Sequence, residues 1–131
     1  MSQENLEVVR RNLEAFNRRD LRAWLATFRS DGEMDWSRAR GPLKGVYRGH
    51  GELEAFWEGW LTFDWGELET YDLTEVGDEV VVPNTATFRG RQGIEVIAKS
   101  AFVFTVENGQ ISCMRLFQER AEALEAAELR E

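Results

Sequence analysis

The chain has 131 residues, of which 43% are hydrophobic and 31% are charged, and its formal net charge is −8 at pH 7. This length can bury a core of its own, so we expect a single domain over residues 1–131. Because nucleic-acid-binding proteins concentrate positive charge to displace phosphate counterions, the acidic balance argues against a nucleic-acid partner.

The composition also limits location and cofactors. No apolar stretch approaches the roughly 20 residues that span a bilayer, and the first five residues lack the basic and apolar segments of a secretory signal. The single cysteine, Cys113, and the single histidine, His50, exclude an internal disulfide and any cysteine- or histidine-rich metal site. The glycines at 41, 45, 49 and 51 do not match a nucleotide-binding loop. We therefore expect a cytoplasmic protein with no membrane partner, no metal and no cofactor.

The first predicted element is an amphipathic helix over roughly residues 4–18, because apolar residues recur at steps of three and four. Asp20 has the short acceptor side chain of an N-cap and predicts a second, short helix, which the turn residues 30–32 should end. The first helix carries Leu6, Val9, Leu13 and Phe16, and the second is expected to carry Leu21, Trp24, Leu25 and Phe28.

A short strand, a loop and a third helix are predicted next. The strand covers residues 33–36, the loop covers 37–48, and the helix begins near residues 49–51. The apolar side of this helix carries Leu53, Phe56, Trp57, Trp60 and Leu61.

The second half of the chain alternates in period two and is cut by three turn signals, at residues 76–78, 90–93 and 107–110. Asn-Gly between alternating apolar runs is a strong hairpin signal, because both central turn residues need positive φ. Pro83 cannot donate to a strand ladder, so it predicts an edge or a bulge. We expect a meander with strands at 66–75, 79–89, 94–106 and 110–117, followed by a helical tail from Arg120 to Arg130.

Short strings over nearly the whole chain form a recognisable series. They are Val8-Val9-Arg10-Arg11, Ala15-Phe16-Asn17, Asp20-Leu21, Phe28, Tyr47-Arg48-Gly49 before Phe56-Trp57, and the closing run of residues 120–127. In this order they resemble SnoaL-like proteins of the nuclear-transport-factor-2-like superfamily, which includes the ketosteroid isomerases. The resemblance implies an α+β fold in which three N-terminal helices pack on the concave face of a cone-shaped, strongly curved, mostly antiparallel sheet. It does not imply one activity, since this superfold hosts isomerases, cyclases, hydrolases, dehydratases and binding proteins.

The comparison with the isomerases can be made position by position. Those enzymes use a tyrosine and a protonated aspartic acid as an oxyanion hole, with a second aspartate as the base. Matching the motifs without gaps places Asn12, Ser100 and Trp36, respectively, at these positions, with Asp35 one residue before the base. Because successive strand residues face opposite sides, Asp35 cannot replace the residue at 36 unless the strand bulges. We do not expect ketosteroid isomerase activity.

The same matching implies which side chains face the pocket. One face of the fourth predicted strand carries Ser100, Phe102 and Phe104, and one face of the last strand carries Cys113, Arg115 and Phe117. An inward Arg115 must meet a protein acid, several carbonyls or an anionic ligand, because a buried unpaired charge is costly. The ligand pocket implied by the resemblance and the aromatic pattern comprises Asn12, Phe16, Trp36, Tyr47, Phe56, Trp57, Trp60, Ser100, Phe102, Cys113, Arg115 and Phe117.

Three functions stay open from the sequence. The first is binding of a small, mainly apolar molecule with a polar or anionic group that Arg115 orients. The second is an isomerase, cyclase or hydrolase that uses Asp35 as a base with Tyr47 or Ser100, although Asp35 could equally be exposed or paired with an arginine. The third is an interaction module whose cavity is filled by its own tryptophans. We also expect a homodimer through the convex sheet face, with Val80, Val82, Ile97, Val103, Met114 and Leu116 on that face.

Overall fold

The computed structural model describes residues 2–39, 44–60, 65–70, 72–89 and 95–129. Four helices and seven strands occur in this part of the chain. They are α1 (Ser2–Asn17), α2 (Leu21–Ala26), β1 (Phe28–Trp36), β2 (Gly45–Arg48), α3 (Gly49–Trp60), β3 (Trp65–Thr70), β4 (Thr74–Val76), β5 (Glu79–Arg89), β6 (Glu95–Glu107), β7 (Gln110–Phe117) and α4 (Arg120–Leu129).

All seven strands form one sheet in the order β2-β1-β7-β6-β5-β3, and β4 also pairs with β5. Every pair is antiparallel except β1 with β7. The helices α1, α2 and α3 pack on one side, which we call the inner face, and α4 packs on the other, the outer face. The predicted α+β fold, with N-terminal helices on one face of a curved, mostly antiparallel sheet, is confirmed.

The junction between α1 and α2 shows why the chain turns at this point. The backbone N–H of Asp20 donates to Ala15 O and that of Arg19 donates to Phe16 O, while Arg19 adopts a left-handed φ of 58°. This closes α1 as a Schellman motif without glycine. The Asp20 carboxylate then accepts a hydrogen bond from Ala23 N at 3.1 Å, so the predicted N-cap is confirmed.

The end of α2 was predicted wrongly. The helix stops at Ala26, and Phe28 already belongs to β1 instead of to the helix. The turn residues 30–32 lie within β1, where its register against β7 shifts between Phe28 and Glu33. Gly32 is needed at this irregularity, because a Cβ there would lie 2.9 Å from Arg29 O. The turn signal therefore marks a bulge in a longer strand and not the end of a helix.

The predicted loop over 37–48 contains a further strand, β2, which pairs with β1 from Glu33↔Arg48 to Trp36↔Gly45. Residues 40–43 of that loop lie outside the described residues. The third helix begins at Gly49, close to the predicted position.

The hairpins follow the predicted turns where the structure describes them. Val76↔Glu79 and Glu107↔Gln110 close two-residue turns, and both Asn108 and Gly109 have positive φ. The turn predicted at 90–93 lies outside the described residues. The first predicted meander strand is divided into β3 and β4, both of which pair with β5.

Pro83 lies opposite the division between β3 and β4. It pairs with Ala101 of β6 without a register shift, so β5 does not bulge toward β6. On the side of β5 that faces away from β6, the pairing with β3 ends at Asn84 and the pairing with β4 begins at Val81. Pro83 therefore sits at a local edge, where its missing N–H costs no ladder hydrogen bond.

Candidate functional site

An aromatic wall lines part of the inner face. The ring centroids of Tyr47 and Phe56 lie 5.2 Å apart, those of Phe56 and Trp36 lie 5.4 Å apart, and those of Trp36 and Phe102 lie 5.3 Å apart. The strand pairs Met34↔Tyr47 and Trp36↔Gly45 place the rings of Tyr47 and Trp36 on the same side of the sheet. Trp36 and Tyr47 are only half-buried, so this wall presents ring surface to solvent.

A second aromatic group lies deeper and belongs to the core. Phe16, Trp24 and Trp57 are buried and pack with centroid distances of 5.0–6.5 Å. Asn12, predicted to line the pocket, is buried beside them and donates to Thr27 Oγ1 at 2.9 Å, and Thr27 donates to Trp24 O. This chain of hydrogen bonds fastens α1 to the end of α2.

A polar pair adjoins the aromatic wall. Asn84 and Ser100 face each other across β5 and β6, and the Ser100 hydroxyl donates to Asn84 Oδ1 at 3.2 Å. The Asn84 amide donates only a long bond, 3.3 Å, to Val82 O in its own strand. The pair could therefore accept from a ligand hydroxyl and donate to a ligand carbonyl. Asn84 was not identified from the sequence, because only the register beside Pro83 places it opposite Ser100.

The inner face beside this pair is shallow because its side chains are small. Ala86 pairs with Ala98, and Ala98 is exposed although it lies on the same face as Phe102 and Phe104. A recess of about 440 Å³ opens where β7 ends; its volume is within the usual range of ligand sites. It is lined by Pro83, Asn84, Thr85, Lys99, Ser100, Gln118 and Glu119.

The face assignment of β7 was wrong. Arg115 pairs with Val103 and Phe117 with Ala101, and these partners pack against α4 on the outer face. Cys113 pairs with Thr105, so it lies on the outer face too. The cause is a bulge at Ser112, which lies between the pairs Val106↔Ile111 and Thr105↔Cys113. Since one extra residue reverses the alternation, the residues after Ile111 exchange faces.

The predicted outer face was mostly wrong, in β7 because of this bulge and in β5 because Val80 and Val82 pair with the inner-face residues Phe104 and Phe102. Met114 and Leu116 belong to the inner core instead, and so do Val80 and Val82 of β5. Val103 is on the outer face as predicted but is covered by α4, and Ile97 lies on that face and is 60% exposed.

Arg115 meets a protein acid. Its Nη2 atom lies 2.9 Å from Glu79 Oε2, which also accepts a hydrogen bond from Thr105 Oγ1 at 2.7 Å. The side chains of Arg115 and Glu79 are 16% and 5% exposed, and the guanidinium lies 5.5 Å from the centre of the Phe117 ring. Of the alternatives that the sequence left open, the structure shows the one in which a protein carboxylate holds Arg115.

Asp35 lies on the outer face, across the sheet from Trp36 and the aromatic wall. Its carboxylate accepts a hydrogen bond from Ser37 N at 3.0 Å and lies 3.8 Å from Arg38 Nη1. Partial burial would by itself raise the pKa of Asp35, but the Ser37 hydrogen bonds, with Arg38 and Arg115 nearby, outweigh it and lower that pKa. A carboxylate held ionised on the other face cannot act as the base of an inner-face site.

The single histidine, His50, and the predicted pocket residue Trp60 lie near the two ends of α3. His50 is half-buried, with Nε2 3.2 Å from Phe28 O. Trp60 is the last residue of α3, and its side chain lies outside the described residues. Within the ranges described above, no group of three or more potential metal ligands occurs, and no helix is long and apolar enough to cross a membrane.

Comparisons with known proteins agree with this architecture. The model of the SnoaL-like domain matches residues 9–114. A protein of unknown function from Burkholderia pseudomallei, described as NTF2-like, is 29% identical, with a TM-score of 0.78 over 93% of this chain and 95% of its own. No curated protein matches the sequence.

Two less similar structures contain small molecules. TerC, co-crystallised with polyporic acid, is 22% identical, with a TM-score of 0.77 over 95% of this chain and 98% of its own. A Mycobacterium tuberculosis protein in complex with estradiol-17β-hemisuccinate is 15% identical, with a TM-score of 0.78 over 88% and 94%. At these identities the similarity concerns the fold alone.

Proposed function

Since this chain belongs to the SnoaL-like domain family, we propose that it binds a small, mainly apolar molecule on the inner face of its sheet. The observation that carries the proposal is the exposed Ala98 beside half-buried Ser100, next to the ring of Phe102. Small side chains at this point leave room beside Trp36, which is half-buried and packs on the buried ring of Phe102.

The hydrogen-bonding groups of Asn84 and Ser100 indicate which chemical groups the ligand should carry. Ser100 and Asn84 offer one acceptor and one amide donor at the edge of an otherwise apolar wall. A flat, apolar molecule with a hydroxyl or carbonyl oxygen matches this arrangement. Two proteins with the same fold were crystallised with small molecules, which supports small-molecule binding by a chain of this fold. Arg115 does not supply the cation for an anionic group, because Glu79 holds it on the outer face.

The proposal can be tested by thermal unfolding with 2-naphthol and a panel of related phenols. A ligand present at a hundredfold excess over its Kd stabilises the folded state by about 2.7 kcal/mol. Ser100→Ala should remove one hydrogen bond, worth about 1 kcal/mol, and so weaken binding by about fivefold. Ala98→Leu should abolish the stabilisation by filling the space.

Ser30→Ala is the matched control, because Ser30 is exposed on β1 outside the site. It should leave ligand-induced stabilisation unchanged. If no phenol stabilises the protein, or if Ala98→Leu and Ser100→Ala respond like the wild type, the inner-face site does not bind this class of molecule.

A further inference from the structure

Asn84 is a polar side chain buried in the inner face of β5. It is only 2% exposed, and its two neighbours on the same face of the strand, Val82 and Ala86, are buried and apolar. Asn84 pairs with Ser100 of β6, and Ala86 pairs with the exposed Ala98. Because the two alanines have short side chains, the space above them adjoins the Asn84 amide. A ligand in the inner-face site would therefore lie against this amide.

The contacts of Asn84 fix the orientation of its amide group. Its Nδ2 atom lies 3.3 Å from Val82 O, and a carbonyl oxygen can only accept a hydrogen bond. On the other side of the amide, the Ser100 hydroxyl donates to Asn84 Oδ1 at 3.2 Å. If the amide were turned over, Asn84 Oδ1 would face Val82 O with no hydrogen between the two acceptors. The amide oxygen is therefore engaged with Ser100, and the nitrogen is the group that can bind a ligand.

The Asn84 nitrogen has two N–H groups, but the described residues offer it a single acceptor. Its bond to Val82 O exceeds the usual N–H···O separation of about 2.7–3.2 Å. No second acceptor for this nitrogen occurs in the part of the chain that the structure describes. Since a buried donor without a partner is costly and rare in native structures, the second N–H of Asn84 needs an acceptor from elsewhere.

We propose that Asn84 determines the specificity of the inner-face site by donating an amide hydrogen bond to a carbonyl oxygen of the ligand. This selection depends on the ligand site proposed above and names the chemical group that the site requires. A carbonyl oxygen accepts without bringing a hydrogen that needs its own acceptor, whereas a hydroxyl brings one, and Asn84 Oδ1 already accepts from Ser100. Flat aryl ketones therefore fit the site. Hydrocarbons of the same shape are disfavoured, because they leave the buried N–H unpaired.

Two planar probes of nearly equal shape test this specificity. The first, 2-acetylnaphthalene, has a carbonyl oxygen where the second, 2-isopropenylnaphthalene, has a CH2 group. Fluorescence titration of the whole chain gives a Kd for each probe. Asn84→Leu keeps a branched side chain but has no donor, so it should lower the preference for the ketone over the hydrocarbon by about tenfold. Gln110→Leu removes an amide at an exposed position of β7 and should leave this preference unchanged.

The infrared spectrum of the bound ketone gives a readout that a purely structural role of Asn84 would not change. A hydrogen bond from Asn84 lowers the C=O stretching frequency, so this frequency should be lower in the wild type than in Asn84→Leu. Asn84→Ala also lacks the donor and replaces Asn84→Leu if leucine disturbs the fold. If both probes bind but neither preference nor frequency changes, the role of Asn84 is overturned and the inner-face site stands. If neither probe binds to the wild type, the site itself is wrong and its specificity with it.

Discussion

At the scale of single residues, the outer face contains a polar cluster around Arg115, for which the sequence left both a ligand and a protein acid open as partners. Glu79 accepts hydrogen bonds from both Arg115 and Thr105 on this face. A guanidinium that is hydrogen-bonded to a buried carboxylate is occupied, and removing one partner strands the other charge in a medium that solvates it poorly. The cluster therefore contributes to folding and not to the inner-face site.

Replacement of Arg115 by methionine should lower the free energy of unfolding by about 3–5 kcal/mol, because it leaves Glu79 without its cation. Urea unfolding of the free protein measures this loss. The double variant Arg115→Met/Glu79→Leu should recover much of it, since neither charge then remains buried. A single variant as stable as the wild type would show that the pair contributes nothing.

Asp35→Asn should destabilise the protein by less than about 1 kcal/mol at neutral pH. The pKa of Asp35 is lowered in the folded state, whereas the unfolded value is about 3.9. Its charge therefore stabilises the fold above the unfolded pKa, and this contribution is lost as the pH falls through the folded pKa. The difference between wild type and variant, from urea unfolding at several pH values, should shrink on acidification. Asp72→Asn, at an exposed position, serves as the control; a difference that grows in acid would contradict the assignment.

At the scale of elements, α4 determines what the outer face can do. Ala123 and Ala127 are fully buried against Val81, Val103 and Phe117. Alanine allows the helix to approach the strands closely, while Glu122 and Glu125 of α4 are exposed to solvent. The apolar part of the outer face is thus covered by the chain's own helix. A homodimer through that face stays a prediction. Four of the six residues that we expected on this face, Val80, Val82, Met114 and Leu116, lie in the inner core instead.

Ala123→Asp should detach α4, because undocking the helix costs less than burying an unpaired carboxylate. We expect a loss of about 2 kcal/mol in the free energy of unfolding and faster amide hydrogen exchange in residues 120–129. Exposure of Val103 and Phe117 should also increase binding of a hydrophobic dye. Ala121→Asp places the same charge on the exposed side of the same helix and should change none of these quantities. Equal behaviour of the two variants would show that α4 is not docked through Ala123.

At the scale of the whole molecule, the inner and outer faces of the sheet differ in what covers them and in the role that we expect for each. The inner side combines the core formed with α1, α2 and α3 with a region of small side chains around Ala98 and Ser100. The outer side carries the ion pair of Arg115, the covering helix α4 and the exposed Ile97. Ligand binding is therefore expected on the inner side, and variants of the outer-face ion pair should not affect it.

The sequence by itself determined the elements whose cause is local. The spacing in α1, the N-cap at Asp20 and the turn at Asn108-Gly109 depend on residues close in the chain, and the structure contains them as expected. The family resemblance added the α+β architecture. The resemblance also implied the inner-face position of Phe102, which is confirmed because β6 keeps simple alternation throughout its pairing with β5.

Tertiary structure alone decided which way β7 faces. The bulge at Ser112 leaves no distinct signal in the sequence, because it arises from the simultaneous fit of β7 to β1 and to β6. A single inserted residue exchanges the two faces of every position that follows, so Arg115 moved from an expected ligand site to a structural ion pair. Because side chains alternate, one misplaced residue reverses the predicted face of every later residue in the strand. Only the pairing of β7 with distant strands determines which of its residues face inward.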